Sequence, residues 1–155
     1  MMTGVDDSSV YRQYADELIR YATALVGPTD ASDVVTEGVL DAFRSAEWDV
    51  VLNRRAYLYR CVLRRALTLR RSSERRWARE RRVAQPDVER VSESSVDAHR
   101  ALSHLSPQQR AVVFLTYWQD LAPEQIAEML DVSEGTVRKQ LARARERLRS
   151  VLDER

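Results

Sequence analysis

The stretch Pro123-Glu124-Gln125-Ile126-Ala127-Glu128-Met129-Leu130, followed by Asp131-Val132 and then by Ser133-Glu134-Gly135-Thr136-Val137-Arg138-Lys139, decides the fold. Ile126, Ala127 and Leu130 recur at helical spacing over a short segment, and Asp131-Val132 interrupts it. Ser133 is a helix-capping residue, and Val137, Leu141, Ala144, Leu148 and Val151 then form one inward stripe. The pattern is helix, tight turn, helix. Glu134, Thr136, Arg138, Lys139 and Arg143 are left on the outer side of the second helix, with Ser133 at its start. A recognition helix presents base-reading groups at its N-terminal end in the major groove and basic groups to the flanking phosphates. Ser133, Glu134, Thr136, Arg138, Lys139 and Arg143 are therefore the candidate duplex-DNA contacts.

Working outward, Ser106-Pro107-Gln108-Gln109 is a helix start with a mechanism: Ser106 as N-cap, Pro107 in the first turn and Gln109 completing a capping box. The helix it opens carries Val112, Val113, Phe114, Leu115, Tyr117 and Trp118. It is apolar nearly all round, which suits a helix central to its domain.

The first half reads as three more helices. Tyr11, Tyr14, Leu18, Tyr21 and Leu25 share a face of a helix that stops at Gly27-Pro28. Thr29, Asp30 and Ser32 offer capping oxygens to a second, whose apolar face is Val35, Val39, Ala42, Phe43 and Ala46. Asp33, Glu37 and Asp41 lie together on its other side, without a histidine or polar partner for acid–base chemistry. They suit a protein-docking edge or a solvated face. Trp48 to Asn53 is a connection, and Asn53 caps a third helix from Arg54. Leu58, Cys61, Val62, Ala66 and Leu69 form its buried face. Tyr57, Tyr59, Arg60, Arg64, Arg65, Arg70 and Arg71 are left to face outward, although Tyr57 fits the core equally well. Aromatic rings beside arginines can stack on unpaired bases and hold their backbone.

Among 155 residues only four glycines and four prolines occur, and 44% are apolar. That mixture suits helices and enough core for two small domains. The net charge of +1 conceals segregation: residues 1–53 carry 3 basic and 10 acidic side chains, and residues 54–82 carry 12 and 2. Residues 83–135 carry 3 and 9, and residues 136–149 carry 6 and 1. Each half thus ends in a basic helix able to neutralise phosphates, while the acidic portions are repelled by DNA and left for a basic protein. All twelve cations of the first basic run are arginines, the side chain suited to planar contact with phosphate or guanine.

Cys61 reads as core, and His99 and His104 lack the neighbours of a metal cluster, so neither a metal nor a cofactor is expected. No nucleophile–base pair or phosphate-cradling glycine loop points to an enzyme. The N-terminus lacks an apolar signal region and no apolar run approaches a membrane span, which predicts a cytoplasmic protein. The expected architecture is all-α, two small helical domains joined by a flexible linker: residues 1–82, a linker over 83–97 marked by Pro86 and the Ser92, Ser94, Ser95 cluster, and a helix-turn-helix domain over 98–155.

Leu105-Ser106-Pro107-Gln108-Gln109-Arg110, Ile126 to Leu130, Val132 to Arg138 and Ala144-Arg145-Glu146-Arg147-Leu148 resemble the promoter-binding C-terminal domain of extracytoplasmic-function sigma factors. Asp30 to Val35, Leu40-Asp41-Ala42-Phe43 and Ala56-Tyr57-Leu58-Tyr59-Arg60 resemble the other domain of that family, in the right order. The resemblance implies that Asp33, Glu37 and Asp41 dock on the clamp helices of the largest subunit of core RNA polymerase. It implies that the connection and third-helix start, through Trp48, Asn53, Arg54, Arg55, Tyr57, Arg60 and Arg64, capture the melted minus-ten strand. The C-terminal domain would read the minus-thirty-five duplex and touch the β flap, and an anti-sigma factor would restrain the whole. The chain departs from the family pattern at Thr36, Arg64, Thr68 and Asp131; aspartate tolerates the left-handed backbone that the last position requires. The competing reading is a helix-turn-helix regulator that dimerises on a palindrome without polymerase.

Overall fold

The computed structural model describes residues 7–80, with 72–80 as backbone alone, and residues 100–153. Its longer helices are α1 (Asp7–Val26), α2 (Ala31–Arg44), α3 (Arg54–Glu80), α4 (Pro107–Tyr117), α5 (Pro123–Leu130) and α6 (Glu134–Asp153), and residues 100–102 are also helical. The described residues contain no strand, and no helix among them is long and apolar enough to cross a membrane. The 83–97 linker and the boundaries on either side of it lie outside the described residues.

Helices α1, α2 and α3 form a bundle. Leu18, Tyr21, Ala22 and Leu25 of α1 meet Val35, Val39 and Ala42 of α2 and Leu58, Cys61, Val62 and Ala66 of α3, all buried. Gly27 ends α1 with φ 90°, and its N–H reaches the Thr23 carbonyl at 2.9 Å. Asp30 stands at the N-cap of α2 but its side chain makes no capping hydrogen bond, which corrects the expectation that its oxygen caps the helix. Asn53 does cap α3, its Oδ1 accepting from Ala56 N at 3.0 Å. Gly38 lets α2 and α3 approach closely: a Cβ there would lie 3.0 Å from Val62 Cα.

In the second half the capping box of α4 is complete, with Gln109 N donating to Ser106 Oγ at 3.2 Å and Ser106 N to Gln109 Oε1 at 3.1 Å. Asp131 takes the left-handed conformation, φ 56° and ψ 50°, and turns the chain from α5 toward α6. Ser133 Oγ accepts from Thr136 N at 3.0 Å to start α6. Ile126, Met129 and Leu130 pack with Val137, Leu141 and Ala144 around the buried side of α4, completing the helix-turn-helix.

The halves also pack on each other. Helix α4 lies against α1 and α3, and α5 lies against α3. The Tyr21 ring contacts the rings of Tyr59 and Phe114, with centroids 4.6 and 5.5 Å apart, so one apolar core runs from the bundle into the second half. Helix α3 is therefore covered on two sides.

Candidate nucleic-acid interface

The start of α6 carries the duplex-reading candidates. Glu134, Arg138, Lys139 and Arg143 are exposed, as is Ser133, whereas Thr136 is half-buried with its hydroxyl 2.8 Å from Ser133 Oγ. Ser133 and Thr136 are thus partly committed to the cap. Arg138 donates to Glu134 Oε1 at 3.0 and 2.7 Å, an exposed pair one turn apart. Lys139 and Arg143 project without an ion pair of that kind among the described residues, so the helix start carries exposed cations beside an exposed Glu–Arg pair. The geometry is that of a recognition helix held by its predecessor through a tight turn.

The single-strand candidates divide. Trp48 is buried, packed between Phe43 and Tyr57 with centroids 5.1 and 6.2 Å away, and its indole N–H donates to Asp7 Oδ1 at 3.1 Å. Tyr57 is buried too, its hydroxyl 2.8 Å from Ser45 Oγ. Both are therefore corrected from base-stacking groups to supports of the 45–53 connection: each ring is enclosed and each polar atom is already paired. Tyr59, expected to face outward, is fully buried against Tyr21. Burial pushes its hydroxyl, like that of Tyr21, well above the ordinary tyrosine range.

The arginines of α3 are used unevenly. Arg54 lies over the Trp48 ring at 4.9 Å and keeps part of its surface in water. Arg55 donates to Glu17 at 2.6 Å, and that hydrogen bond outweighs its desolvation and raises the guanidinium above its ordinary range. Arg60 points into the second half, its Nε donating to the Met129 carbonyl at 3.0 Å and its Nη2 to that of Glu128 at 2.8 Å. In this arrangement neither Arg55, a strand contact by the resemblance, nor Arg60, expected to face outward, is free to meet a strand. Arg64, Arg71 and Asn53 are exposed. Two exposed side chains in the connection, Val50 and Leu52, escaped the sequence reading because an apolar residue in a loop carries no periodic signal.

On α2, Asp33 and Glu37 are exposed and Asp41 half-buried. Arg65, expected to face outward, instead forks onto Asp41 at 2.5 and 2.9 Å and approaches Glu37 at 3.4 Å. The Arg65 hydrogen bond holds the Asp41 carboxyl below the usual carboxylate range. Asp33 is the exposed member of the acidic row that Arg65 does not reach.

A further apolar hollow of about 270 Å³ lies between α4 and α6, lined by Leu102, Val113, Tyr117, Trp118, Arg145 and Leu148. Tyr117 and Trp118 are more than half exposed there, and Arg145 donates to the Tyr117 hydroxyl at 2.9 Å. The apolar character of α4 predicts a helix central to its domain, and these two rings at its end depart from that.

Fold and surface together define a helical DNA-binding protein in which a helix-turn-helix is joined to a separate three-helix module bearing an acidic edge and a basic helix. Comparison with known proteins narrows the class. Residues 10–76 match the family model for sigma-70 region 2, and residues 92–148 match that for sigma-70 region 4. The chain is 34% identical over 159 residues to the RNA polymerase sigma-E factor of Streptomyces avermitilis, covering 93% of this chain and 83% of that one. It is 33% identical over 161 residues to the ECF RNA polymerase sigma factor SigL of Mycobacterium tuberculosis, covering 94% and 88%.

Among solved structures it is similar to the sigma factor RpoE in complex with the anti-sigma factor NepR from Bartonella quintana, with a TM-score of 0.70, 22% identity and 94% and 96% of the two chains covered. It is also similar to CnrH in complex with the cytosolic domain of CnrY, at 0.65, 22%, 96% and 88%; both likenesses concern the fold. The chain belongs to the extracytoplasmic-function sigma factors of the sigma-70 family, transcription initiation factors for RNA polymerase. The competing reading as a regulator independent of polymerase leaves the region 2 match unexplained.

Proposed function

We propose that this chain directs core RNA polymerase to promoters by dividing the work between its halves, and that it performs no chemistry of its own. The observation that carries this reading is the succession, in one chain, of the region 2 match over residues 10–76 and the region 4 match over residues 92–148. In this division residues 1–82 bind polymerase and the melted minus-ten strand, and residues 98–155 read the minus-thirty-five duplex.

In the second half, Arg138, Lys139 and Arg143, with Ser133, Glu134 and Thr136 at the helix start, contact the duplex in the major groove. The exposure of all of these but the half-buried Thr136, and the capped start of α6, support this assignment. In the first half, Asn53, Arg54 and Arg64 meet the strand directly, Arg55 and Arg60 join them after rearrangement, and Trp48 and Tyr57 serve by holding the connection in shape. Asp33, with Glu37 and Asp41 behind it, faces the largest-subunit clamp helices, and the second half also touches the β flap. By the likeness in fold to the sigma factor RpoE in complex with the anti-sigma factor NepR, an anti-sigma protein restrains this chain and releases it in response to a signal.

The test is in vitro transcription on genomic fragments with purified core polymerase, with and without the chain. Specific starts that appear only when the chain is added support the reading, and an unchanged start pattern overturns it.

A further inference from the structure

The hollow between α4 and α6 stands clear of the seam where the two halves pack: Leu102, Val113, Tyr117, Trp118, Arg145 and Leu148, which line it, all belong to the second half. Its volume of about 270 Å³ admits a flat ring system. Two exposed rings at its mouth are fixed from behind. The Trp118 ring stacks on buried Phe114, with centroids 6.0 Å apart and planes 6° from parallel, while more than half of its surface stays in water. Arg145 donates to the Tyr117 hydroxyl at 2.9 Å and lies 5.9 Å from that ring's centroid, so its guanidinium is held beside both rings.

The lining is apolar, but the surroundings are cationic. Arg138, Arg145 and Arg149 stand at i, i+7 and i+11 on α6, a spacing that sets them in one row along the helix. All three are exposed; Arg138 is paired with Glu134, whereas Arg145 and Arg149 have no carboxylate partner among the described residues. Residues 136–149 carry six cations and a single acid, Glu146.

Rings that can stack, beside guanidinium groups that can follow a backbone, are what an unpaired nucleic-acid strand requires. On α3 the same combination occurs in the sequence, but folding encloses Tyr57 and Tyr59. At the end of α4 the rings stay open. The arginine excess favours a polyanion over an apolar protein segment. Of the single strands that transcription presents, the melted promoter strand is assigned to the first half, which leaves the transcript.

We propose that this hollow is a binding site for single-stranded RNA: a base stacks on the open face of Trp118, and the adjoining phosphates follow Arg145 and Arg149. The choice of RNA rests on the promoter role proposed above. It has a chemical counterpart in Tyr117, whose hydroxyl accepts from Arg145 and keeps its own proton to donate to a 2′-hydroxyl, an acceptor that DNA lacks.

The test uses the full chain without polymerase and a fluorescein-labelled, unstructured oligoribonucleotide of alternating A and C, followed by fluorescence anisotropy. Trp118→Ala should weaken binding about tenfold, the loss of one stacked base, and Trp118→Phe should keep most of the affinity. The deoxy strand of the same sequence should bind more weakly, and Tyr117→Phe should erase that difference. A thiouridine placed in the RNA should cross-link on irradiation to Tyr117 or Trp118, as peptide mapping would show.

Unchanged RNA affinity in Trp118→Ala overturns the proposal; if that variant also loses association with core polymerase, the hollow is a protein-docking face instead. A deoxy strand that binds as tightly as the RNA overturns the choice of RNA. Failure of the chain to direct specific starts would count against the sigma reading, and the polymerase-free binding measurements would still decide whether the hollow holds a strand.

Discussion

The ring of Tyr21, on α1, lies 5.5 Å from that of Phe114, on α4 of the second half, and its hydroxyl is buried there without a partner among the described residues. Folding strips that hydroxyl of water and returns nothing for it. Removing it should therefore cost nothing: Tyr21→Phe is expected to raise unfolding stability by about 1 kcal/mol, the lower end of the penalty for an unsatisfied buried polar group. Urea midpoints of the two proteins measure this. A loss of stability would mean that the hydroxyl has found a partner.

Gly38 gives the opposite kind of case. It sits in the middle of α2, where alanine would ordinarily gain about 1 kcal/mol of helix propensity. The added Cβ, however, would stand 3.0 Å from Val62 Cα and 3.1 Å from Val62 N, and backbone in α3 cannot yield as a side-chain end does. Overpacking of this kind costs about 1–3 kcal/mol, so Gly38→Ala should destabilise the bundle despite its better propensity. Thermal unfolding of the variant provides the check.

For α4, Ser106→Ala removes the acceptor of Gln109 N and half of the capping box. The expected loss of stability is about 1 kcal/mol, with Ser106→Asp retaining most of it because its carboxylate can cap the same N–H. Equal denaturation midpoints for all three proteins would show that the box contributes nothing.

Asp41 predicts a pH dependence. Its folded-state carboxyl is held below the usual range, chiefly by the Arg65 hydrogen bond, so the stability it contributes is fully present above the unfolded pKa, about 3.9, and is lost as pH falls through the folded value. The stability difference between the wild-type chain and Asp41→Asn should therefore be constant from neutral pH to about 5 and close at lower pH. A difference that persists unchanged to acid pH would assign it to packing rather than to the carboxylate.

How far the sequence could be read follows from what each signal depends on. The caps at Ser106, Ser133 and Asn53 and the left-handed turn at Asp131 are local, set within a few residues, and the structure has each as expected. The stripes of α1 and α6 follow one helical period, and their inner members Leu18, Tyr21, Leu25, Val137, Leu141 and Ala144 are buried. Helix α3 defeated the same argument because it is covered twice, by α1 and α2 on one side and by α4 and α5 on the other. Periodicity therefore identified the first buried face and left Tyr59 apparently outside, while Tyr57, which fits either side, is enclosed by Trp48 and the 45–53 connection. Summed charge has the same limit: it located the basic run, but Arg55, Arg60 and Arg65 found partners on Glu17, α5 and Asp41, far along the chain. Which candidate cations remain open depends on tertiary pairing.

The recognition helix supplies the sharpest functional prediction. Arg138 and Lys139 are exposed near the start of α6, away from the seam, so alanine at both positions should leave the fold and the association with core polymerase intact. Each phosphate that is no longer neutralised should lower the slope of log affinity against log salt by about one, so the double variant should lower it by up to about two. Binding of the holoenzyme to promoter fragments carrying the upstream duplex, titrated with salt, measures that slope. Arg138 must first leave Glu134, its neighbour at 2.7 Å, so Glu134→Gln should strengthen non-specific duplex binding while Arg138→Ala weakens it. The two substitutions are expected to move affinity in opposite directions at low salt and to converge at high salt as counterions screen both effects. Loss of core association in the double variant, with duplex affinity unchanged, would place the polymerase-binding surface on α6 and remove that helix from the DNA.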